Sequence, residues 1–140
     1  QMLLAGSVKL VLYVASDCPD TDFIARLIEV DANGLAVNIA QGLIRGRYRN
    51  GYDHEVTLVQ GETNELLIQI SVVGIRFRRG SRIRLDITSS DFPTFDRNHN
   101  TGDPFHIDTK LRIAQQTILH DMTYPSHLKL PVITDESGWS

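Results

Sequence analysis

The sequence predicts an all-β protein, a sandwich or barrel of about eight short antiparallel strands. Segments with apolar residues at every second position recur along the chain, as in 82–88, where Ile83, Leu85 and Ile87 share one face. Turn-forming residues separate these segments at short intervals, and no stretch has a convincing helical period. Short alternating strands joined by frequent turns are typical of β-sandwiches and barrels.

The predicted strands span 8–16, 22–31, 37–49, 54–59, 66–72, 82–88, 110–120 and 127–132. The first is apolar on both faces, which fits an inner strand of a sandwich. The second follows a turn at Pro19 and ends at the hairpin signal Asn33-Gly34. The third contains Gly42 and Gly46, which indicate a bulge or a close approach of the backbone to a neighbour. The fourth is a short segment between two polar turns.

The second half of the chain contains the remaining four predicted strands. The fifth alternates from Leu66 to Val72 and ends near Gly74. The sixth leads into a long polar loop that reaches Asp103, and loops of this length are typically functional or docked. In the seventh, four residues share one face, and a helix is the weaker alternative. They are Leu111, Ile113, Thr117 and Leu119. The eighth completes a single domain over 1–133, followed by a tail, 134–140, with no pattern beyond Trp139.

The composition is that of one ordinary globular domain. The length of 140 residues predicts one domain, and the formal charge of −3 argues against a nucleic-acid partner. No segment has the length and apolar character of a membrane span or the pattern of a signal peptide, so we expect no membrane partner. The single cysteine, Cys18, is compatible with a reducing compartment such as the cytoplasm, and the location is otherwise open. The abrupt apolar start without methionine leads us to expect an excised piece of a longer polypeptide.

Motifs for catalysis are missing from the sequence. No Gly-x-Ser-x-Gly occurs, and the five histidines lack the His-Glu-x-x-His spacing of a zinc site. His106, near Asp103 and Asp108, is the least ordinary histidine, but a surface or turn histidine is the favoured interpretation. Cys18 would need a neighbouring base to act as a nucleophile, and a buried or turn cysteine is favoured. We therefore predict no catalytic residue and no cofactor in this chain.

One loop has a partial calcium-binding pattern. Asp96, Asn98 and Asn100 place oxygen atoms at every second residue, as at the start of an EF-hand loop. The glycine then comes one residue late, position twelve is Ile107 instead of glutamate, and no flanking helices are evident. The favoured interpretation is that these side chains cap turns in a docked loop, and a metal is the alternative.

Arginines concentrate in two regions of the chain. The first contains Arg45, Arg47 and Arg49, and the second contains Arg76, Arg78, Arg79, Arg82 and Arg84. A basic patch for phosphate or nucleic acid is one interpretation. Ion pairing with acidic residues of neighbouring strands is the favoured one. The expected partners are Glu29, Glu55, Glu65, Asp86 and Asp91. A third interpretation is bidentate contact with carboxylates of another domain.

Four motifs occur in one order along nearly the whole chain. They are Asp20-Thr21-Asp22-Phe23, Ile44-Arg45-Gly46-Arg47-Tyr48-Arg49, Ser89-Ser90-Asp91-Phe92-Pro93 with Asp96-Arg97-Asn98, and Ser126-His127-Leu128-Lys129-Leu130-Pro131-Val132-Ile133. Together they resemble the C-terminal domain of the cocaine esterase and X-prolyl dipeptidyl peptidase (CocE/NonD) family of serine hydrolases. The resemblance implies a jelly-roll β-sandwich, described in that family as galactose-binding-domain-like. It also implies that an α/β-hydrolase domain carries the catalytic serine, aspartate and histidine upstream of these residues.

The resemblance leads us to expect a non-catalytic accessory domain. It would brace the α/β-hydrolase domain of the same polypeptide, which cleaves esters or X-Pro peptides, and help to shape access to its active site. A homo-oligomer would form through that parent protein. The family-motif or interface candidates are Asp20, Asp22, Arg45, Arg47, Arg49, Ser90, Asp91, Phe92, Pro93, Phe95, Arg97 and Asn98. The alternatives are an independent carbohydrate- or ligand-binding module and a purely structural or oligomerisation domain. A docked domain predicts a bare apolar patch, for which Phe92, Pro93 and Phe95 are the candidates.

Overall fold

The computed structural model describes residues 1–104 and 107–134, which form two antiparallel β-sheets. The strands are β1 (Met2–Ser16), β2 (Asp22–Val30), β3 (Ala36–Arg45), β4 (Asn64–Phe77), β5 (Arg82–Thr88), β6 (Gln116–Leu119), β7 (His127–Lys129) and β8 (Val132–Ile133). Within the described ranges, a 3₁₀ turn at Gly46–Tyr48 is the single helical element. The predicted all-β sandwich is confirmed.

The larger sheet is built around β1. On one side β1 pairs with β4 along nearly its whole length, from Met2 opposite Phe77 to Val14 opposite Asn64. On the other side it pairs in turn with β8, β7 and β6. Leu10 and Val11 point to opposite faces of the sheet and are both buried, so both faces of β1 are covered at this position.

The smaller sheet has the order β3-β2-β5, with β2 in the centre. Asp22 pairs with Arg45 at one end of this sheet, and Val30 pairs with Arg82 at the other. The core lies between the two sheets, where apolar residues of β1, β2 and β4 pack together. It includes Leu4, Val8, Leu10, Leu12, Val14, Phe23, Ala25, Leu27, Leu66, Ile68, Ile70 and Phe77.

The sheets approach each other closely where β3 meets β4. A Cβ atom on Gly42 would lie 2.2 Å from the carbonyl oxygen of Gln69 and 2.7 Å from Cα of Ile70. Nearby, the Ser71 hydroxyl donates to the carbonyl oxygen of Gln41 at 3.1 Å. The close backbone approach that the glycines of this strand predict is therefore confirmed at Gly42.

The prediction of a strand over 37–49 is wrong beyond Arg45. Beyond Arg45 the chain turns into the 3₁₀ turn Gly46–Tyr48, which the amide of Arg49 closes by donating to the carbonyl oxygen of Gly46 at 3.3 Å. The predicted strand 54–59 is also not a strand. Its amides bond to irregular backbone instead, with Leu58 donating to Pro19 at 2.7 Å.

The predicted strand 110–120 is wrong over its first half, because only Gln116–Leu119 is a strand. The alternation of Leu111 and Ile113 is present, but these side chains are 59% and 83% exposed instead of facing the core. The backbone of this segment bonds to loops and not to a sheet. The amide of Arg112 donates to the carbonyl oxygen of His99 at 3.0 Å.

Three further boundaries differ from the sequence prediction. β1 begins at Met2 instead of residue 8, and β4 continues past Gly74 to Phe77, because the two strands pair over this whole length. The last predicted strand divides into β7 and β8 around Pro131, which has no amide hydrogen to donate. The predictions for His106, for Trp139 and for the tail from residue 135 lie outside the described residues.

Candidate functional site

Two arginines at the end of β3 meet two aspartates at the start of β2. Asp22 and Arg45 are direct partners across the strands, and Nε and Nη2 of Arg45 donate to the two carboxylate oxygens of Asp22, each at 2.8 Å. This parallel, bidentate arrangement is the strongest geometry for a guanidinium and a carboxylate. Arg45 also reaches Asp96, at 3.2 Å.

Arg47 lies deeper and is only 2% exposed. Its Nε donates to Oδ2 of Asp20 at 2.7 Å, and its backbone amide donates to Oδ1 at 2.8 Å. Its Nη1 lies 3.4 Å from Glu55, and its Nη2 donates to the carbonyl oxygen of Asp103 at 3.1 Å. A charged group buried to this degree is retained only with partners around it.

Asn98 links both ion pairs to the long loop after β5. Its Nδ2 donates to Oδ2 of Asp20 at 2.9 Å and to Oδ1 of Asp22 at 2.7 Å. Its Oδ1 accepts from the amide of Asn100 at 2.9 Å, so each end of the side chain is bonded. We call Asp20, Asp22, Arg45, Arg47 and Asn98 the Asp20–Asp22 cluster.

Arg45 keeps its positive charge within the cluster. Burial lowers the pKa of Arg45, but the hydrogen bonds and the charge of Asp22, with those of Asp96, outweigh burial and hold the pKa above its ordinary value. Arg45 therefore stays protonated, and its pair with Asp22 is a fixed structural contact. The sequence prediction of ion pairing is confirmed for Arg45 and Arg47. Their main partners are Asp22 and Asp20, which were not among the expected ones, whereas the expected partner Glu55 lies 3.4 Å from Arg47.

Replacing Asn98 should release the loop from the cluster. We expect Asn98→Ala to lower the free energy of unfolding by about 1–3 kcal/mol, because two buried carboxylates lose a donor. Asn98→Asp, of nearly the same shape, should be worse, since it places a third negative charge beside the first two. Urea unfolding measures the stability, and amide hydrogen exchange across residues 89–103 measures the loop. Equal stability of both variants and the unmodified protein would contradict the assigned contact.

The outer part of the loop presents polar and apolar side chains together. Asp91 accepts a hydrogen bond from Arg26, which ties the start of the loop to β2. Beyond it, Phe92 is 72% exposed, Phe95 is half-buried and Pro93 is exposed. Ser90, Phe92 and Arg97 line an open depression. The sequence did not single out Arg26, although a lone arginine inside an apolar central strand was the available signal.

The remaining arginine of the third predicted strand, Arg49, turns away from the cluster. Its guanidinium donates to the carbonyl oxygens of Gly46, at 3.0 Å, of Val56, and of Thr57, at 3.4 Å. It therefore holds the segment that was predicted as the fourth strand against the 3₁₀ turn.

The three residues of the partial calcium-binding pattern have different partners. Asp96 faces Arg45, Asn98 directs its amide nitrogen at two carboxylates, and Nδ2 of Asn100 donates to the carbonyl oxygen of Arg112 at 2.9 Å. Within 1–104 and 107–134, no group of three or more histidine, cysteine, aspartate or glutamate side chains is arranged to hold a metal ion.

Two other chemically notable features are the thiol of Cys18 and the contact between His99 and Asp108. Cys18 is buried, and burial, together with its hydrogen bond to Asp17, raises the pKa of its thiol, which disfavours a reactive thiolate. Nδ1 of His99 lies 3.5 Å from Asp108. A hydrogen bond from Thr101 is the main reason that the pKa of Asp108 lies below its ordinary value.

The four tyrosine rings form two tilted pairs. The rings of Tyr13 and Tyr124 are 5.7 Å apart at 51°, and those of Tyr48 and Tyr52 are 5.9 Å apart at 37°. Sugar-binding modules usually stack their ligand on exposed aromatic faces. The carbohydrate-binding alternative stays an untested prediction.

Fold and site together define a β-sandwich module in which a buried ion-pair cluster anchors an ordered surface loop and has a structural role. A family profile for the X-Pro dipeptidyl-peptidase C-terminal non-catalytic domain matches residues 1–129. The chain belongs to this family. Among the residues described, no helix is long and apolar enough to cross a membrane.

Curated and solved relatives agree with this assignment. The chain is 34% identical over 132 residues to the cocaine esterase of Rhodococcus sp. (strain MB1 Bresler), covering 93% of this chain and 23% of the relative. An aminopeptidase from a marine sediment Thaumarchaeota archaeon is 26% identical with a TM-score of 0.89, over 95% of this chain and 24% of the other.

Two more distant structures share the fold. An α-amino acid ester hydrolase is 24% identical with a TM-score of 0.88, over 94% of this chain and 24% of the other. A CocE/NonD family hydrolase from Staphylococcus aureus is 21% identical with a TM-score of 0.76, over 95% of this chain and 28% of the other. The chain thus spans about a quarter of the length of these proteins.

Proposed function

We propose that this domain braces an α/β-hydrolase domain that precedes it in the same polypeptide, and that the loop over residues 89–98 is part of the docking surface. The parent would be a serine hydrolase that cleaves esters or X-Pro peptides. The family and the short span relative to cocaine esterase support a larger parent. In this proposal the catalytic groups lie upstream, and the loop helps to shape access to their site.

The observation that supports the proposal is the exposure of Phe92, a large apolar side chain on an anchored loop. Burying such a side chain stabilises a complex by about 1.5–3 kcal/mol, so its exposure on the free domain is unfavourable unless a partner covers it. The loop is also ordered in advance by Asn98 and by the Arg26–Asp91 pair. Such ordering lowers the entropy lost on docking.

The replacement Phe92→Ser tests this role. In the chain of 140 residues it should leave the unfolding midpoint unchanged, because Phe92 is mostly exposed there. In the full-length protein it should destabilise the catalytic domain by about 1.5–3 kcal/mol through the lost burial. Hydrolysis of a proline-dipeptide anilide and an aryl ester, measured after heating to a series of temperatures, reports on that domain.

The matched control is Met122→Ser, since Met122 is a large apolar residue that is fully exposed on a different loop. This replacement should change neither the unfolding midpoint of the chain of 140 residues nor the heat resistance of the full-length protein. A full-length Phe92→Ser protein as heat-resistant as the control would contradict the docking role. Turnover by the purified chain of 140 residues itself would show that the hydrolase activity does not depend on an upstream domain.

A further inference from the structure

A second surface of the domain is strongly cationic and lies at the opposite end of the sandwich from the Asp20–Asp22 cluster. The turn that joins β4 to β5, with the strand ends beside it, contains five exposed arginines within nine residues. They are Arg76, Arg78, Arg79, Arg82 and Arg84, and we call residues 76–84 the arginine hairpin. The whole chain carries a net charge of −3, so this concentration does not reflect a basic composition.

The carboxylates near the arginine hairpin already have other contacts. Glu29 accepts from the backbone amide of Arg78 at 3.0 Å, and a hydrogen bond from Ser81, followed by this amide, holds the pKa of Glu29 below its ordinary value. Asp31 accepts from two amides of its own turn, each at 2.8 Å. Asp86 pairs with Arg84 at 3.0 Å.

Among the described residues, these contacts leave Arg79 and Arg82 without a matching charge. Within residues 1–104 and 107–134, neither side chain has a carboxylate oxygen within 4.0 Å. The ion pairing that the sequence predicts for this region is confirmed for Arg84, and within the same ranges for no other arginine of the hairpin. Exposed, like-charged side chains this close together repel one another, and a nearby anionic partner would relieve the repulsion.

Strand pairing places the start of the chain beside the arginine hairpin. Met2 lies opposite Phe77, and the amide group of Gln1 is 3.3 Å from Nε and Nη1 of Arg76. Any polypeptide that precedes Gln1 in the proposed parent would therefore enter the domain beside Arg76. A fixed point of chain entry makes any contact there intramolecular, which raises the effective concentration of the partner group.

We propose that an acidic stretch of the polypeptide immediately preceding Gln1 binds the arginine hairpin through Arg79 and Arg82. The inference rests on the proposed function, in which the hydrolase domain lies upstream. The contact forms a second, electrostatic attachment that fixes the domain at its entry point, in addition to the apolar contact at Phe92. Arginine suits this role because its planar guanidinium binds carboxylates in a bidentate manner.

The test is charge reversal in the full-length protein with Arg79→Glu and Arg82→Glu together. The expected result is about a tenfold increase in the rate of limited proteolysis just upstream of Gln1 at low salt. The increase should shrink at high salt, since screening weakens exposed ion pairs. The matched control is Lys9→Glu with Lys129→Glu, an equal charge change at two exposed, paired strand positions. It should leave the cleavage rate unchanged.

Three results would overturn the inference. One is an equal cleavage rate for the arginine variant and the control. Another is the same increase with Asp135→Asn and Glu136→Gln, which would assign the arginines to the tail of this chain. The third combines two observations: a heparin column retains the unmodified protein in a salt-sensitive manner, and the arginine variant is cleaved at an unchanged rate. Together they would indicate a polyanion partner. A different result would overturn only the proposed docking of the 89–98 loop. It is unchanged heat resistance of full-length Phe92→Ser together with faster cleavage of the double arginine variant.

Discussion

Asp20→Ala should lower the free energy of unfolding by about 3–5 kcal/mol, because it leaves the buried guanidinium of Arg47 without its main counter-ion. Asp20 is fully buried and accepts from the backbone amide and Nε of Arg47 and from Nδ2 of Asn98. A loss of this size is a large part of the stability of a typical domain.

Two variants separate charge from hydrogen bonding at this position. Asp20→Asn keeps an oxygen acceptor for Arg47 but removes the charge, so its stability should lie between those of Asp20→Ala and the unmodified protein. Asp53→Ala removes a carboxylate that is 83% exposed and should change the stability by less than about 0.5 kcal/mol. Urea unfolding, monitored by far-ultraviolet circular dichroism, measures the free energy of unfolding of all three variants. A loss for Asp20→Ala no larger than that of the Asp53 control would contradict the buried ion pair.

Two strands were predictable from the sequence with nearly correct bounds. The prediction for 82–88 has the same bounds as β5, and the prediction for 22–31 differs from β2 by one residue. In β5 a change in the pairing register by one residue would turn Leu85 and Ile87 away from the core. β2 is buried on both faces, and its largely apolar run between turn residues predicted it. The pattern therefore determines these elements locally, without information from distant parts of the chain.

The segment 110–115 shows why alternation alone is insufficient. Leu111 and Ile113 share a face, but a period of two does not reveal whether that face meets the core or solvent. The placement depends on a long-range contact, the bond between the amide of Arg112 and the carbonyl oxygen of His99. Such a contact leaves no local pattern in the sequence. The same applies to 54–59, whose backbone bonds to Arg47 and Pro19.

The candidate site was predictable in its residues but not in its geometry. The motifs contain both aspartates, both arginines and Asn98, but a strand over 37–49 would place Arg47 on an exposed face with Arg45. The 3₁₀ turn buries Arg47 instead. Gly46 permits this, because a Cβ atom there would lie 3.0 Å from Leu58 and 3.2 Å from the carbonyl oxygen of Thr21. The burial of an arginine depends on partners that a strand pattern does not encode.

Gly42→Ala should be destabilising by about 3 kcal/mol, at the upper end of the usual cost of overpacking. The added methyl group would meet backbone atoms of Gln69 and Ile70 at 2.2–2.8 Å, and backbone in the middle of a paired strand cannot move aside as a side chain can. Relief requires β3 to separate from β4, which would weaken the contact between the two sheets where they are closest.

The matched control for this prediction is Gly74→Ala, which adds the same methyl group to a strand glycine with no atom within 4 Å. Its stability should be unchanged or higher by about 0.4–1 kcal/mol, since alanine reduces the entropy of the unfolded chain. Urea unfolding of the two variants compares them directly. If Gly42→Ala were as stable as Gly74→Ala, β3 and β4 could not lie as close as described. A selective loss at Gly42 would show that this glycine sets the spacing of the sandwich, on which the position of Arg45 at the end of β3 depends.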